Sequence, residues 1–291
     1  MHKITLALLA TFLLVSNTTE AKGPDSTKRQ PLNTPHNSAY ATVNGLKMYY
    51  EVYGAGEPLI LIHGGGSTIQ TSFEKIIPRL ARHHEVIAME LQAHGRTADR
   101  KADLSFKQDA EDVVALMKKL NIKKADILGF SNGGQTAIEI AINYPQVVNK
   151  LVLASTFYER SAASEQFWKG FDNAKFSDMP QSLKDGFLAV NNSPAALTNM
   201  FNKDVKRMKN FAGWTDEQMK SIKAPTLVIN SIMDVGTPES ALKMYRTIPD
   251  CQLVILPGGH GEYLGEKAAT QKDGWHQAYI TDIVENFLIT Q

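Results

Sequence analysis

Lys124-Ala125-Asp126-Ile127-Leu128-Gly129-Phe130-Ser131-Asn132-Gly133-Gly134, continuing as Gln135-Thr136-Ala137-Ile138-Glu139-Ile140-Ala141, reads as a buried strand, a sharp turn and a helix. The turn is G-x-S-x-G with Ser131 at its centre. A serine hydroxyl is a weak nucleophile until a base holds it in a fixed, exposed position, and a tight strand-to-helix turn supplies the exposure. Gly129 and Gly133 flank the serine where a side chain would crowd the turned backbone, and positive φ is a second reason for glycine there. The competing reading is a turn serine without chemistry. The apolar strand before the turn and the helix after it favour the nucleophile.

Upstream, Tyr40 to Val43, then Asn44-Gly45, then Leu46 to Tyr53 predict a hairpin, because Asn-Gly tolerates the positive φ values of a type I′ turn. Pro58-Leu59-Ile60-Leu61-Ile62 is a near-continuous aliphatic run of the kind buried on both faces of a parallel sheet. It leaves through His63-Gly64-Gly65-Gly66, and such a glycine-rich exit lets backbone N–H groups point into a cleft, as oxyanion stabilisation requires. A helix is expected from Phe73 to Arg82, a strand from Glu85 to Glu90, a helix from Ser105 to Leu120 and a strand from Lys150 to Ala154. This alternation predicts an α/β protein with a mostly parallel sheet covered on both faces.

Between Ser155 and Lys223 the strands stop. Helical spacing recurs over Ser161–Phe171, Pro180–Val190, Pro194–Lys209 and Thr215–Ile222. A helical insertion beside an alternating sheet is expected to form a lid over the C-terminal strand ends, where open α/β sheets bind ligands; ordinary sheet-covering helices are the alternative. Strands resume at Ala224–Asn230 and Cys251–Leu256, and a helix over Trp275–Leu288 closes the chain. The expected organisation is a core of residues 38–155 and 224–291 with a lid of residues 156–223.

A serine nucleophile needs a base, and the base needs an orienting acid. Asp234 follows the resumed strand and His260 follows the next, within Pro257-Gly258-Gly259-His260-Gly261, so both fall at the edge of the sheet that carries Ser131. Thr237-Pro238 is a helix start, with threonine as cap and proline at the first helical position. Asp126 and Glu239 compete with Asp234 but sit within a strand and at a helix start. His94 reads as a loop-packing histidine, and His83-His84, with no third ligand at metal spacing, as solvated helix-end residues.

Of 291 residues, 43% are hydrophobic and 21% charged, which suffices for a globular core without staples. The net charge of +1, with no basic cluster interleaved with aromatics, sets nucleic acid and acidic membrane surfaces aside. Met1-His2-Lys3, an apolar run from Ile4 to Val15, and small residues at Thr19 and Ala21 predict a signal peptide over 1–21, a retained anchor being the alternative. Without the anchor, no stable membrane insertion is expected. Residues 22–37 are polar, unpatterned and rich in Pro, Ser and Thr, predicting a disordered leader. Cys251 is the only cysteine, in an apolar run where a buried, inert thiol is expected. Export without disulfides points to a bacterial periplasmic or secreted protein.

Taken together, His63-Gly64-Gly65-Gly66, Gln92-Ala93-His94-Gly95-Arg96-Thr97, Gly129-Phe130-Ser131-Asn132-Gly133-Gly134, Asp234 and Pro257-Gly258-Gly259-His260 resemble a lid-bearing member of the α/β-hydrolase superfamily from Pro58 to the C-terminus. That resemblance implies an eight-stranded sheet and the chain order Ser, Asp, His. It implies Ser131 as nucleophile, His260 as general base, Asp234 as orienting acid, and the N–H groups of Gly65 and Asn132 as oxyanion hole, with no cofactor or metal. Gly66 is the alternative donor, and spacing does not choose between them. Glu90 stands where such proteins often carry Asp, and Ala93 where they often carry Gly; little effect on chemistry is expected from either.

The activity implied is hydrolysis of a small carboxylic ester or lactone through an acyl-enzyme. A proline-iminopeptidase-like peptidase would need lid acids for a substrate amine, for which Glu165, Asp172 and Asp178 are present without distinctive spacing. A cofactor-free haloperoxidase-like perhydrolase would use the same triad, and a non-catalytic binding protein on this fold would not need it. Phe157, Trp168, Phe171, Phe176, Phe187 and Phe201 fit an apolar pocket or the lid's own core equally. Nothing in the sequence fixes an oligomeric state.

Overall fold

The computed structural model describes residues 34–269 and 275–290. The expected signal peptide over 1–21 lies outside the described residues, as does the leader through residue 33; its last residue, Asn37, opens the first strand instead. Eight strands form one sheet: β1 (Asn37–Val43), β2 (Leu46–Gly54), β3 (Glu57–Ile62), β4 (His84–Met89), β5 (Ala125–Phe130), β6 (Val148–Ala154), β7 (Thr226–Met233) and β8 (Cys251–Gly259). Their order is β1-β2-β4-β3-β5-β6-β7-β8. β2 pairs antiparallel with β1 and β4, and every later pairing is parallel. Asn44 and Gly45 both have positive φ, 46° and 76°, as the hairpin turn requires.

The sheet's period of two divides the aliphatic runs between two cores. Ile60, Ile62 and Ile127 enter one; Leu59, Leu61, Leu128 and Phe130 enter the other. Each fully buried aliphatic side chain contributes about 1.5–3 kcal/mol.

Helices α1 (Ile69–Phe73) and α2 (Ile77–Leu80) replace the single helix expected from Phe73 to Arg82. Thr68 caps α1 earlier, its Oγ1 accepting the Thr71 N–H at 3.2 Å. Pro78 lacks an N–H and restricts the residue before it, so it fits the first turn of a new helix rather than the middle of one. Then come α3 (Phe106–Lys119), capped by Ser105 Oγ, and α4 (Asn132–Asn143). Among the described residues no strand lies between β6 and β7. That stretch holds α5 (Glu165–Asp172), α6 (Gln181–Val190), α7 (Pro194–Lys209) and α8 (Asp216–Lys220). Next is α9 (Pro238–Thr247), capped by Thr237 with Pro238 in its first turn, and last α10 (Trp275–Ile289).

Met219 of α8 and the following Ile222 pack in the core cluster of α3 and α4, so the end of the insertion covers the sheet. α5, α6 and α7 instead build two smaller apolar clusters, around Trp168 and around Phe187. They stand over the C-terminal ends of the strands, because side chains from all three line one cavity with Ser131 and His260.

Candidate active site

The turn after β5 holds Ser131 at φ 53°, ψ −122°, a conformation that costs a non-glycine residue about 1–3 kcal/mol. Hydrogen bonds keep it there. Its N–H donates to the Ala154 carbonyl of β6 at 2.9 Å, and its own carbonyl accepts the N–H groups of Gly134 and Gln135 at 2.8 and 3.2 Å. Gly129 and Gly133 are not in the left-handed region, contrary to one of the two reasons expected for them. They are needed for close approach: a Cβ on Gly129 would lie 2.3 Å from the Gly133 carbonyl oxygen, and one on Gly133 would lie 2.1 Å from that of Ile62. The elbow therefore packs backbone against backbone, and the strain falls on the serine.

His260 Nε2 lies 3.0 Å from Ser131 Oγ, and His260 Nδ1 lies 2.6 Å from Asp234 Oδ1. If Nδ1–H donates to the carboxylate, Nε2 is left as acceptor for the serine hydroxyl. The Phe130 ring packs against the imidazole with centroids 5.0 Å apart. The side chain of Asp234 is fully buried, and its carboxylate also accepts from Ser155 Oγ at 2.5 Å, Ser231 N–H at 3.2 Å and Val235 N–H at 2.8 Å. Burial pushes its pKa up, but the bonds from His260, Ser155 and Val235 outweigh this and hold it below the ordinary aspartate value. Tyr263 Oη sits 2.9 Å from Ser155 Oγ and continues the chain of hydroxyls. The rival acids are elsewhere: Asp126 near the start of β5 accepts from Asn149 at 2.8 Å, and Glu239 is exposed in the first turn of α9.

Asn132 is the first residue of α4, so its N–H belongs to the helix N-terminus, which favours negative charge. Of the two glycines considered as the second donor, Gly66 gives its N–H to Asp204 Oδ2 at 2.6 Å. Among the described residues the N–H of Gly65 meets no acceptor. Gly65 lines the cavity and abuts Asn132, since a Cβ on it would fall 2.4 Å from Asn132 Nδ2. The cavity measures about 350 Å³, within the range of small-molecule sites. Phe157, Phe171 and Phe201 line it, whereas Trp168 and Phe187 sit inside the apolar clusters of the helical insertion and Phe176 packs edge-on against Phe201. Of the three acids considered for a substrate amine, Asp178 reaches the cavity, while Glu165 pairs with Lys169 at 2.7 Å and Asp172 is exposed.

The family described as alpha/beta hydrolase fold matches residues 57–196. A 2-hydroxy-6-oxo-6-(2'-aminophenyl)hexa-2,4-dienoic acid hydrolase of Metapseudomonas resinovorans is 35% identical over 256 residues, covering 79% of this chain and 88% of the relative. The chain belongs to the α/β-hydrolase family. This α/β-hydrolase is an enzyme of the hydrolase type, and solved structures share its fold. A serine hydrolase involved in carbazole degradation superposes with a TM-score of 0.71 at 24% identity, over 87% of this chain and 98% of the other. The enol-lactonase of Burkholderia xenovorans LB400 gives 0.68 at 20% identity, over 86% and 100%.

Several residues of this α/β-hydrolase sit differently from expectation. His94 is wholly buried and is more than loop packing, because its Nε2 lies 2.9 Å from Asp204 Oδ2. Burial lowers its pKa, but the Asp204 charge and hydrogen bond prevail and raise it. His63, also buried, is pushed down to about 3 by burial; its Nδ1 donates to the Gly64 carbonyl at 2.7 Å and its Nε2 accepts the Leu91 N–H at 3.1 Å. His83 is exposed as expected, but β4 starts one residue early and buries His84, 3.5 Å from Glu285. Cys251 is half-buried rather than buried, and burial still pushes its thiol up to about 12. Glu90 is buried and takes the Arg96 N–H at 2.6 Å and guanidinium at 2.7 Å, while Ala93 adopts φ 66°. Asp204, Arg207 and Ser155 were not singled out by the sequence. Only the Asp204/Arg207 spacing of three on a helix hinted at a pair.

Proposed function

We propose that this α/β-hydrolase cleaves a small carboxylic ester or lactone through an acyl-enzyme on Ser131. The observation that carries the reading is the chain Ser131 Oγ, His260, Asp234, with links of 3.0 and 2.6 Å, opening onto the apolar cavity beneath α5, α6 and α7. His260 takes the hydroxyl proton as Ser131 attacks the carbonyl, and Asp234 stabilises the imidazolium. The tetrahedral oxyanion sits between the N–H groups of Gly65 and Asn132. Collapse expels the alcohol with the proton from His260, and water activated by the same imidazole releases the acid. One oxyanion donor is worth about 10²–10³ in rate.

The enol-lactonase among the structural neighbours supports lactones as a substrate class. A dienoic acid substrate, as named for the 35% identical relative, is the second reading. Among the described residues no lysine or arginine lines the cavity, and the carboxylate of Asp178 does, which disfavours an anionic acyl chain there. A peptidase reading has Asp178 alone of the three lid acids at the cavity. The amino-terminal pattern supports export to the periplasm or medium, which the mass of the mature protein from a periplasmic fraction tests. For the activity, wild type and Ser131→Ala are assayed on short p-nitrophenyl esters, a γ-lactone and aminoacyl arylamides. Ester or lactone turnover lost in the variant supports the proposal. Turnover retained by Ser131→Ala, or confined to arylamides, overturns it.

A further inference from the structure

Asp204 and Arg207 stand one turn apart on α7 and face inward, 8% and 5% exposed. Arg207 bridges two carboxylates, Asp109 of α3 at 2.6 Å and Asp204 Oδ1. Asp204 Oδ2 then receives two donors from the sheet side: the Gly66 N–H at 2.6 Å and His94 Nε2 at 2.9 Å. His94 in turn packs against His63 with ring centroids 4.9 Å apart, and His63 Nδ1 donates to the Gly64 carbonyl. The Gly64–Gly66 segment is thus gripped at both ends, by His63 of the core at Gly64 and by the lid carboxylate at Gly66. Gly65 lies between the grips, and Gly66 has a φ of 68°.

Two trans peptides flank Gly65: the first carries the Gly65 N–H opposite the Gly64 C=O that accepts from His63 Nδ1, and the second, joining Gly65 to Gly66, has its C=O opposite the N–H given to Asp204. Turning that peptide over would take the N–H from Asp204 and present a carbonyl oxygen to a buried carboxylate, which is repulsive. We propose that Asp204 is a positioning residue for the oxyanion hole, supplied by the helical insertion: it fixes the peptide after Gly65 while His63 holds the one before it, and the two together keep the Gly65 N–H facing the cavity. The inference rests on the acyl-enzyme reading above. It couples two elements that lie 138 positions apart in sequence. Displacing α7 would remove that anchor and leave Ser131 without a complete oxyanion site.

The test compares Asp204→Leu, Asp204→Asn and wild type for kcat and KM on p-nitrophenyl butyrate. It adds affinity for butaneboronic acid, which mimics the tetrahedral state, and for butyramide, which mimics the ground state. Asp204→Leu is expected to lose about 10²–10³ in kcat, with boronic acid affinity falling in parallel. KM and butyramide affinity stay within about threefold of wild type, the signature of lost transition-state binding alone. Asp204→Asn, whose amide oxygen still accepts the Gly66 N–H, is expected to recover most of the loss. If Asp204→Leu does not fold, Asp204→Ser, too short to reach Gly66, carries the same comparison. Unchanged kcat and boronic acid affinity in the folded variant overturns the inference, as does an equal loss of butyramide affinity. A wild type that neither turns over the ester nor binds the boronic acid defeats the hydrolase reading itself.

Discussion

Gly133→Ala sets helix propensity against packing, and the structure decides the sign. Alanine is favoured over glycine inside a helix by up to about 1 kcal/mol, so α4 considered alone would gain. The new Cβ, however, would lie 2.1 Å from the Ile62 carbonyl oxygen and 2.5 Å from that of His63. These are over about 1 Å inside ordinary contact. Ile62 is paired on both sides, with Met89 of β4 and Gly129 of β5, so the strand cannot yield. The start of α4 must lift instead. Overpacking of this kind costs about 1–3 kcal/mol, and at about 2–4 °C per kcal/mol for a chain of this size the Tm falls by several degrees. The lift also carries Ser131 and Asn132 away from His260, and a displacement of about 1 Å costs on the order of 10² in kcat/KM. The matched control is Gly170→Ala in α5, where a Cβ meets nothing within 4 Å and the propensity gain stands alone. Thermal melts and ester kinetics on both variants make the comparison. A Gly133→Ala protein that melts no lower than wild type, with kcat/KM within about threefold, would refute the reasoning.

Ser155→Ala removes a hydrogen bond to the buried Asp234 carboxylate, an interaction worth about 1.5–3 kcal/mol. With an intact fold by circular dichroism, kcat/KM is expected to fall at least about tenfold; wild-type kinetics would deny Ser155 a part in holding the acid. The buried His94 makes stability depend on pH. Its folded pKa is raised above 6.5, so its pairing with Asp204 stabilises fully below pH 6.5, and that contribution is lost as pH rises through the folded value. Urea titrations from pH 6 to 9 should show stability declining with pH in wild type and a shallower decline in His94→Gln. Identical slopes would contradict the assignment.

The sheet, and the convergence of Ser131, His260 and Asp234, were legible because they are written locally. Aliphatic runs of strand length, the Asn44-Gly45 turn and the Thr237-Pro238 cap fix their elements from neighbours in sequence, and Ser131, Asp234 and His260 each follow a strand at one edge. What tertiary contact decides was not legible. Asp204 reaches Gly66 across 138 positions, and no periodicity marks a helical aspartate that turns inward to an N–H. That contact occupies the Gly66 N–H and leaves Gly65 as the proposed donor. Of the two reasons for glycine at the elbow, crowding holds and positive φ does not: the left-handed φ belongs to Ser131, and the glycines make room for backbone. His84 is buried because β4 begins one residue earlier than its aliphatic run, pairing His84 with Glu57 of β3, and that pairing is a tertiary contact.

Covalent labelling tests most directly whether Ser131 is an activated nucleophile. Wild type and His260→Ala are incubated with a fluorophosphonate, weighed intact, digested and mapped. A single adduct on the peptide carrying Ser131 in wild type, slowed by orders of magnitude in His260→Ala, is the predicted result. No adduct, an adduct on another residue, or equal labelling of both proteins would contradict it.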